Sequence, residues 1–420
     1  MKKYDVIVVG GGFAGVGAAI SAGRAGLRVL LAEKGNALGG AAHINLVNPF
    51  MPNGTKIGDE GKKEVFQLSQ GLFGEIKARL AAFHAIDGNG AVFHEEYLKL
   101  VLNRMAAEAN VELLFHAQLA EVVSEGGKVS SVMFAGKCGK MQLAADYFVD
   151  ATGDADLAYF GGFPTRLGRE SDGLCQPMTL CFRLGNVDIE KFEAARKTIN
   201  PLYKQLRAEG AIKNIREDVL IFRNLSKGVL HFNSTRVVKR NPVDMFDMTI
   251  AEVEAREQVF ELFAFLKENI DGFQNADLLS TAAEIGVRES RMIDGEYMLT
   301  GKDLVDCVAF EDSIALGNYD IDIHNPEGSG TSHYYFPEGQ YYTIPYRAMV
   351  PVNSKNLLVA GRCISADHEA QASIRIMPIV CCLGEAAGTA LAIAAKTGAG
   401  VKDVDIKAVQ AKLREQGAVL

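Results

Sequence analysis

The sequence predicts an α/β fold: a largely parallel sheet flanked by helices, bearing a small antiparallel meander, with an α+β unit inserted into it. Three observations predict it. Residues 4–40 read as strand, glycine turn, helix and strand. Residues 147–154 read as a later buried strand ending in A-T-G-D. Residues 357–390 read as a short apolar strand, a Gly-Arg turn and a long small-residue helix. Short apolar runs separated by helical stretches are the pattern of strands buried on both faces of a parallel sheet.

The first stretch opens with an apolar strand over residues 6–9, broken by Gly10, Gly11 and Gly12, with Gly15 completing G-x-G-x-x-G. Gly10 permits the tight turn, Gly12 lets the backbone approach a pyrophosphate, and Gly15 lets helix and strand pack closely. The following helix starts at Phe13 and Ala14, and its N-terminal amides and dipole favour phosphate. Gly26 ends it. A second strand over residues 29–32 runs into Glu33, an acid placed to accept hydrogen bonds from a ribose, and Lys34. The strand–turn–helix context and the spacing of the acid make this a dinucleotide site rather than a bare glycine turn.

Residues 43–59 form a loop by composition, and residues 60–85 and 94–109 read as amphipathic helices. A strand follows at 111–115, then a meander over 119–123, 128–134 and 140–143. The core strand at 147–149 ends in Asp150, Ala151, Thr152, Gly153 and Asp154. From residue 166 the character changes. Strands are expected at 177–184, 229–233 and 278–285. Helices are expected at 194–209 and 244–270, the latter with Val253, Val259, Phe260, Phe263 and Leu266 in the core. Residues 1–165 and 345–420 then make one discontinuous domain, and 166–344 an inserted substrate domain. In the last part, Gly361 and Arg362 follow the strand, and Pro378 sits in the first turn of a helix, where no N–H is needed. The amides of Ile379 and Val380 are expected to face an acceptor.

The chain has 420 residues, 48% of them apolar, and a net charge of -8. The longest basic cluster, 236–240, is too short for a nucleic-acid footprint. Seven cysteines without a C-x-x-C predict reduced, buried thiols in a cytoplasmic protein, with no metal or iron–sulfur spacing. No signal peptide is expected, because the first apolar run is four residues long and leads into glycines the fold needs. The longest apolar stretch, 376–395, contains Pro378 and Glu385 and reads as a buried helix, not a membrane span.

Leu38, Gly39 and Gly40 after the acid resemble the FAD motif of glutathione-reductase-type flavoproteins. With R-E-S-R (288–291), D-I-H (322–324), I-P-Y-R (344–347) and N-L-L-V-A-G-R-C-I-S-A-D-H-E-A (356–370), nearly the whole chain resembles the bacterial FAD-dependent oxidoreductase family. That resemblance implies a Rossmann-like FAD-binding domain, non-covalent FAD and redox chemistry, with the substrate undefined. It places Gly10, Gly12, Phe13, Ala14, Gly15, Glu33, Lys34, Gly39, Gly40, Ala151, Thr152, Gly153, Asp154, Gly361, Arg362, Met377, Ile379 and Val380 on the cofactor. Disulfide reductases of this type carry a cysteine pair after L-G-G; Ala41, Ala42, His43 and Ile44 stand there instead, so dithiol chemistry is not expected.

A flavin carries hydride itself, so the protein must position a substrate and manage a proton. His324 and His368 are the rival candidates for a general base, with His43 behind them. Arg288, Arg347 and Arg375 are candidates to clamp a carboxylate or phosphate. Tyr334, Tyr335, Tyr341 and Tyr342 line a pocket or simply pack. The expected activity is hydride transfer between flavin N5 and a small polar organic substrate. The alternatives are a flavoprotein component of RNA modification, which the acidic balance argues against, and a non-catalytic electron relay. No second G-x-G-x-x-G follows residue 40, so electrons are expected to pass through the substrate pocket or an external donor or acceptor. The oligomeric state stays open, and neither nucleic acid nor membrane is an expected partner.

Overall fold

The computed structural model describes residues 3–58 and 63–420. Its first half runs β1 (Lys3–Val9), α1 (Phe13–Arg24), β2 (Val29–Ala32), β3 (Gly54–Ile57), β4 (Glu64–Gln67), α2 (Leu72–Ala82), α3 (Glu95–Glu108), β5 (Glu112–Leu114), β6 (Gln118–Glu125), β7 (Lys128–Gly136), β8 (Gly139–Asp150), α4 (Asp156–Phe160) and β9 (Thr165–Leu167). The middle adds β10 (Phe182–Gly185), α5 (Ile189–Ala208), β11 (Ile221–Arg223), β12 (Leu230–Phe232), α6 (Met245–Asn269), β13 (Asp277–Thr281), β14 (Arg291–Ile293) and α7 (Gly301–Val305). The last part holds β15 (Ser313–Gly317), β16 (Ile321–His324), β17 (Thr331–Tyr334), β18 (Tyr342–Pro345), β19 (Leu357–Val359), α8 (His368–Ile374), α9 (Met377–Thr397) and α10 (Ile406–Glu415).

The main sheet has the order β5-β2-β1-β8-β7-β6, with β19 also on β8. β8 serves two sheets' worth of work along its length. Its first half pairs antiparallel with β7, from Gly139 to Ala144. Its second half pairs parallel with β1 on one edge and β19 on the other. Burial follows the pairing: β2 is buried at every position, as a strand covered on both faces must be, whereas β6 alternates. The sequence-derived strand at 140–143 and the core strand at 147–149 are therefore one element.

Residues 60–85 do not form one helix. Residues 59–62 lie outside the described residues, but β4 pairs antiparallel with β3, and α2 begins only after Gly71, whose φ of +58° breaks any continuous helix. Glu64, Val65 and Gln67 are exposed, so the apolar spacing that mimicked a helix there carries no core face. α6 also departs from expectation. Its core face is Ala251, Ala255, Val259, Leu262, Phe265 and Leu266, while Val253 and Phe260 are 57% and 58% exposed. Apolar residues on two faces of one helix left the periodicity ambiguous.

Two hydrophobic cores form. The second gathers the sheet β11-β12-β10-β13 with α5 and α6, and Phe182 stacks on Phe232 at 4.7 Å between centroids. The first gathers the main sheet with α1, α2, α3 and α9, and also Ile293, Leu304, Ile314, Ile321, Tyr342 and Ile344. By packing, then, residues 293–344 go with the first core, and the boundary drawn at 344 does not coincide with the division of the cores.

α1 and α9 lie parallel with backbones in contact. A Cβ on Gly384 would sit 1.9 Å from the Ala14 carbonyl oxygen, and one on Gly388 would sit 2.2 Å from that of Ala18. Ala14 lies beside Gly384 while α9 begins at Met377, so α9 reaches about 9 Å beyond the start of α1. Both helix N-termini thus point the same way. α9 is also the one helix among the described residues long and apolar enough to cross a membrane, and 94% of its apolar window is buried in the protein.

Candidate active site

The carboxyl ends of four parallel strands meet in one crevice. The Gly10 amide donates to Ala32, that of Ala151 to Val9, and that of Ala360 to Asp150, at 2.8, 2.8 and 2.9 Å. The turns after β1, β2, β8 and β19 are therefore neighbours, where open α/β sheets bind ligands. Gly10 holds φ at +105°, and a Cβ there would lie 2.2 Å from the Ala151 carbonyl oxygen. Gly12 is different: its Cβ would meet nothing within 4 Å, so open space lies above it. Gly12 caps α1, and the first intrahelical bond runs from Val16 to its carbonyl, which leaves the Phe13, Ala14 and Gly15 amides without helical acceptors. These are the donors a pyrophosphate needs.

The second glycine pair closes onto the first. The Gly39 amide donates to the Gly11 carbonyl at 2.9 Å. Glu33 is 5% exposed and accepts from the Gly11 and Gly35 amides, both at 2.6 Å. A carboxylate has about four lone-pair sites, so it ties the two turns together and still has capacity for a ribose. Lys34 pairs with Glu284 at 2.9 Å and borders a cavity of about 620 Å³ with His116 and Ala117.

On the other side of the crevice the buried Asp150 carboxylate holds the Thr152 amide, the Thr152 hydroxyl and the Ala158 amide. Asp154 pairs with Arg362 at 2.6 Å and accepts from the Ser290 hydroxyl at 2.6 Å. Burial would raise the Asp154 carboxyl, but Arg362 and Ser290 outweigh it and hold it below its ordinary range. Gly153 leaves room for that guanidinium, whose carbon lies 2.9 Å from where a Cβ would be. At α9 the sequence expectation needs correction. Ile376 is the cap, and the Val380 amide already closes the first turn on its carbonyl at 3.0 Å. The orphan donors are instead the Met377 and Ile379 amides.

Arg288 is part-buried and contacts the segment that leads into β10. One guanidinium nitrogen donates to the Pro177 carbonyl and, at 2.7 Å, to the Thr179 hydroxyl. No carboxylate pairs with it among the described residues. Burial first, with Arg375 and Arg216 nearby and against the pull of Asp322, pushes its pKa down to about 9. Arg375 donates to Asp322 at 3.2 Å, and its Nε is buried without a hydrogen-bond partner among the described residues.

The two candidate histidines differ in kind. His368 opens α8, and its Nδ1 lies 2.8 Å from the fully buried Glu289 carboxylate. Its Nε2 makes no hydrogen bond among the described residues. That arrangement protonates Nδ1 and leaves Nε2 as the basic atom. His324 has neither nitrogen to spare. Nδ1 accepts from Arg236 at 3.1 Å, and Nε2 lies 3.3 Å from Asp322. Burial first, then Arg288, pushes its pKa down to about 3. The general-base reading of His324 is therefore corrected: it links Asp322 to Arg236. Arg347 also leaves the site. It is half exposed, pairs with Asp312 at 2.9 Å and lies over the Tyr297 ring. His43 bonds to the Ala37 carbonyl, and Tyr342 is buried on Ser373 while Tyr334, Tyr335 and Tyr341 are exposed. Cys138 is exposed and Cys307 half-buried, so five of the seven free thiols, not all, are buried.

The sequence matches the FAD dependent oxidoreductase family over residues 5–413. The chain belongs to that family. This FAD-dependent oxidoreductase is 28% identical over 204 residues to digeranylgeranylglycerophospholipid reductase 2 of Methanothermobacter thermautotrophicus, covering 45% of the chain and 48% of the relative. The chain thus spans about half the length of the curated relative it matches. Among solved structures, a geranylgeranyl bacteriochlorophyll reductase-like protein from Thermoplasma acidophilum aligns at TM-score 0.50 and 14% identity, over 100% of this chain and 84% of that one. A p-nitrophenol 4-monooxygenase from Pseudomonas putida aligns at TM-score 0.48 and 13% identity, over 96% and 82%. At 14% identity the likeness to the Thermoplasma protein concerns the fold alone, and with the family match it is a Rossmann-like FAD-binding architecture. The residues present suit FAD: open space above Gly12, orphan amides on two parallel helices, and a buried acid at the end of β2.

Proposed function

We propose that this oxidoreductase moves a hydride between flavin N5 and a small polar organic substrate that carries an anionic group. In this reading the Phe13, Ala14 and Gly15 amides hold the pyrophosphate, Glu33 the ribose, and the Met377 and Ile379 amides the pyrimidine edge. Bound non-covalently, FAD supplies a two-electron hydride acceptor or donor. The chain's own residues supply the rest. Arg288 anchors the substrate anion, with Arg375 beside it. His368 takes or gives the substrate proton at Nε2, and Glu289 fixes its tautomer.

The observation that carries this reading is Arg288, a part-buried guanidinium whose hydrogen bonds among the described residues go only to the neutral oxygens of Pro177 and Thr179. With Asp322 as its nearby counter-charge shared with Arg375, the part-buried Arg288 keeps donor capacity that a substrate carboxylate or phosphate can use. The test is anaerobic flavin reduction or reoxidation with hydroxy acids, amino acids and enoates, each beside its methyl ester. Reaction with the acids and not with the esters supports it. Equal reaction with both, or unchanged kinetics in Arg288→Gln, overturns it.

A second reading has its own observation. A cleft of about 450 Å³ reaches Pro378 and is lined by Phe50, Met51, Phe73 and Phe222, with Asn53, Gln67 and Lys77 beside them. Such walls favour an apolar chain, and the archaeal relative is named for reduction of a geranylgeranyl lipid. Reoxidation of reduced protein by an isoprenoid alkene, with no response to short acids, would select this reading. We further propose that the protein works in the cytoplasm without nucleic-acid or membrane partners, a reading that the burial of α9 and the net charge of -8 support. An external electron donor or acceptor completes the cycle.

A further inference from the structure

A second cluster of ligating atoms lies outside the glycine crevice, on the β16–β17 hairpin. Asp322 is on β16, and Asp320 lies two residues earlier, the spacing that puts both on one face of an extended segment. His333 on β17 is the cross-strand partner of Asp322. One donor atom from each of the three falls within 4.8 Å of the others. His333 Nδ1 is 2.5 Å from Asp320 Oδ2 and 3.8 Å from Asp322 Oδ1.

Asp322 is 7% exposed, and its two oxygens are used unequally. Oδ2 accepts from Tyr319 and Arg375, both at 3.2 Å, and lies 3.3 Å from His324 Nε2. Oδ1 is buried and has no hydrogen-bond partner among the described residues. A buried carboxylate oxygen left bare costs about 1–3 kcal/mol or more. This one faces the imidazole of His333, whose ring is held in plane by stacking on Tyr335 at 5.3 Å and 6°.

We propose that Asp320, Asp322 Oδ1 and His333 Nδ1 bind one divalent transition ion of the Zn²⁺ type. Two carboxylates with one imidazole suit Zn²⁺ and its neighbours, whereas Mg²⁺ and Ca²⁺ favour all-oxygen sets. Coordination by Nδ1 requires the tautomer protonated on Nε2, so the His333–Asp320 hydrogen bond is exchanged for two metal bonds. Arg375 and Tyr319 remain on Oδ2 and orient the carboxylate from behind, as outer partners of metal ligands do. Three protein ligands leave a position for water or a further ligand.

The test uses the full chain with its flavin, stripped with chelator and dialysed against Zn²⁺, with metal and flavin counted per chain. Titration with Co²⁺, read at wavelengths beyond flavin absorption, reports the ligand geometry. Wild type should retain an equimolar ion. His333→Asn and Asp320→Asn should bind at least tenfold more weakly while keeping their flavin and circular dichroism. No uptake by wild type overturns the proposal. So does zinc held equally by all three proteins, the result expected from the exposed thiol of Cys138.

Discussion

Replacing Glu385 by Gln should make the protein more stable at alkaline pH and change little in mild acid. Glu385 projects from α9, is 3% exposed, and accepts from the Leu72 amide at 3.0 Å, capping the start of α2. Burial pushes its pKa from 4.5 up to about 7, against the Leu72 amide and Arg24. The folded value lies above the unfolded one, so the native state holds an extra proton between pH 4.5 and about 7. Stability therefore falls as pH rises through that window and stays reduced above it. A rise of this size is worth at most about 3 kcal/mol. Gln keeps a carbonyl for the Leu72 amide and has no charge to bury. For a chain of this length the unfolding entropy is about 0.9 kcal/mol per degree, so the full effect is roughly 3 °C in Tm. The assay is thermal unfolding of wild type and Glu385→Gln, each with bound FAD, from pH 4.5 to 8.5. The difference in Tm should grow from near zero to roughly 3 °C. A pH-independent difference, or a variant less stable at pH 8, would refute the assignment of a strained charge at this site.

Three further outcomes are expected. Gly384→Val should unfold or fail to accumulate, because its Cβ would stand 1.9 Å from the Ala14 carbonyl oxygen; the cost is about 3 kcal/mol or more, read by urea denaturation. Arg288→Gln should raise KM for an acidic substrate roughly 10- to 100-fold while flavin content holds, as expected for loss of a charged hydrogen-bond donor. NADH and NADPH should reduce the flavin slowly or not at all in stopped-flow absorbance, since a single G-x-G-x-x-G turn is present; rapid bleaching by either contradicts the electron route given above.

Much of the crevice was legible because its determinants are local. Gly10 to Gly15 and Glu33 act through backbone conformation and a fixed spacing along one strand–turn–helix unit, and the structure brings the turn after β8 and the turn after β19 beside them. What stayed hidden depends on long-range neighbours. Glu289 was visible within R-E-S-R, but only folding sets its carboxylate 2.8 Å from His368, 79 residues away. His324 looked like a free loop base beside Asp322; Arg236, 88 residues earlier, occupies its other nitrogen. His333 carries no mark in the sequence, since its relation to Asp322 is a cross-strand register that spacing does not reveal. The hairpin of β3 and β4 is hidden for another reason: Ile57 and Val65 are exposed, and Val65 stands at a helical interval from Leu68 and Leu72. On α6, Phe246, Ile250, Val253 and Phe260 make a second, exposed apolar stripe, which blurred the face that packs.

The central claim is that the crevice above Gly12 holds FAD, and one comparison tests it most directly. Wild type and Gly12→Val are purified, denatured in acid, and the released flavin is identified and counted. A Cβ at Gly12 meets no protein atom within 4 Å, so the variant should fold. Wild type should be yellow and release intact FAD in equimolar amount, and Gly12→Val should be folded and colourless. A wild type that contains no FAD and takes none up, or a Gly12→Val that stays fully yellow, contradicts it.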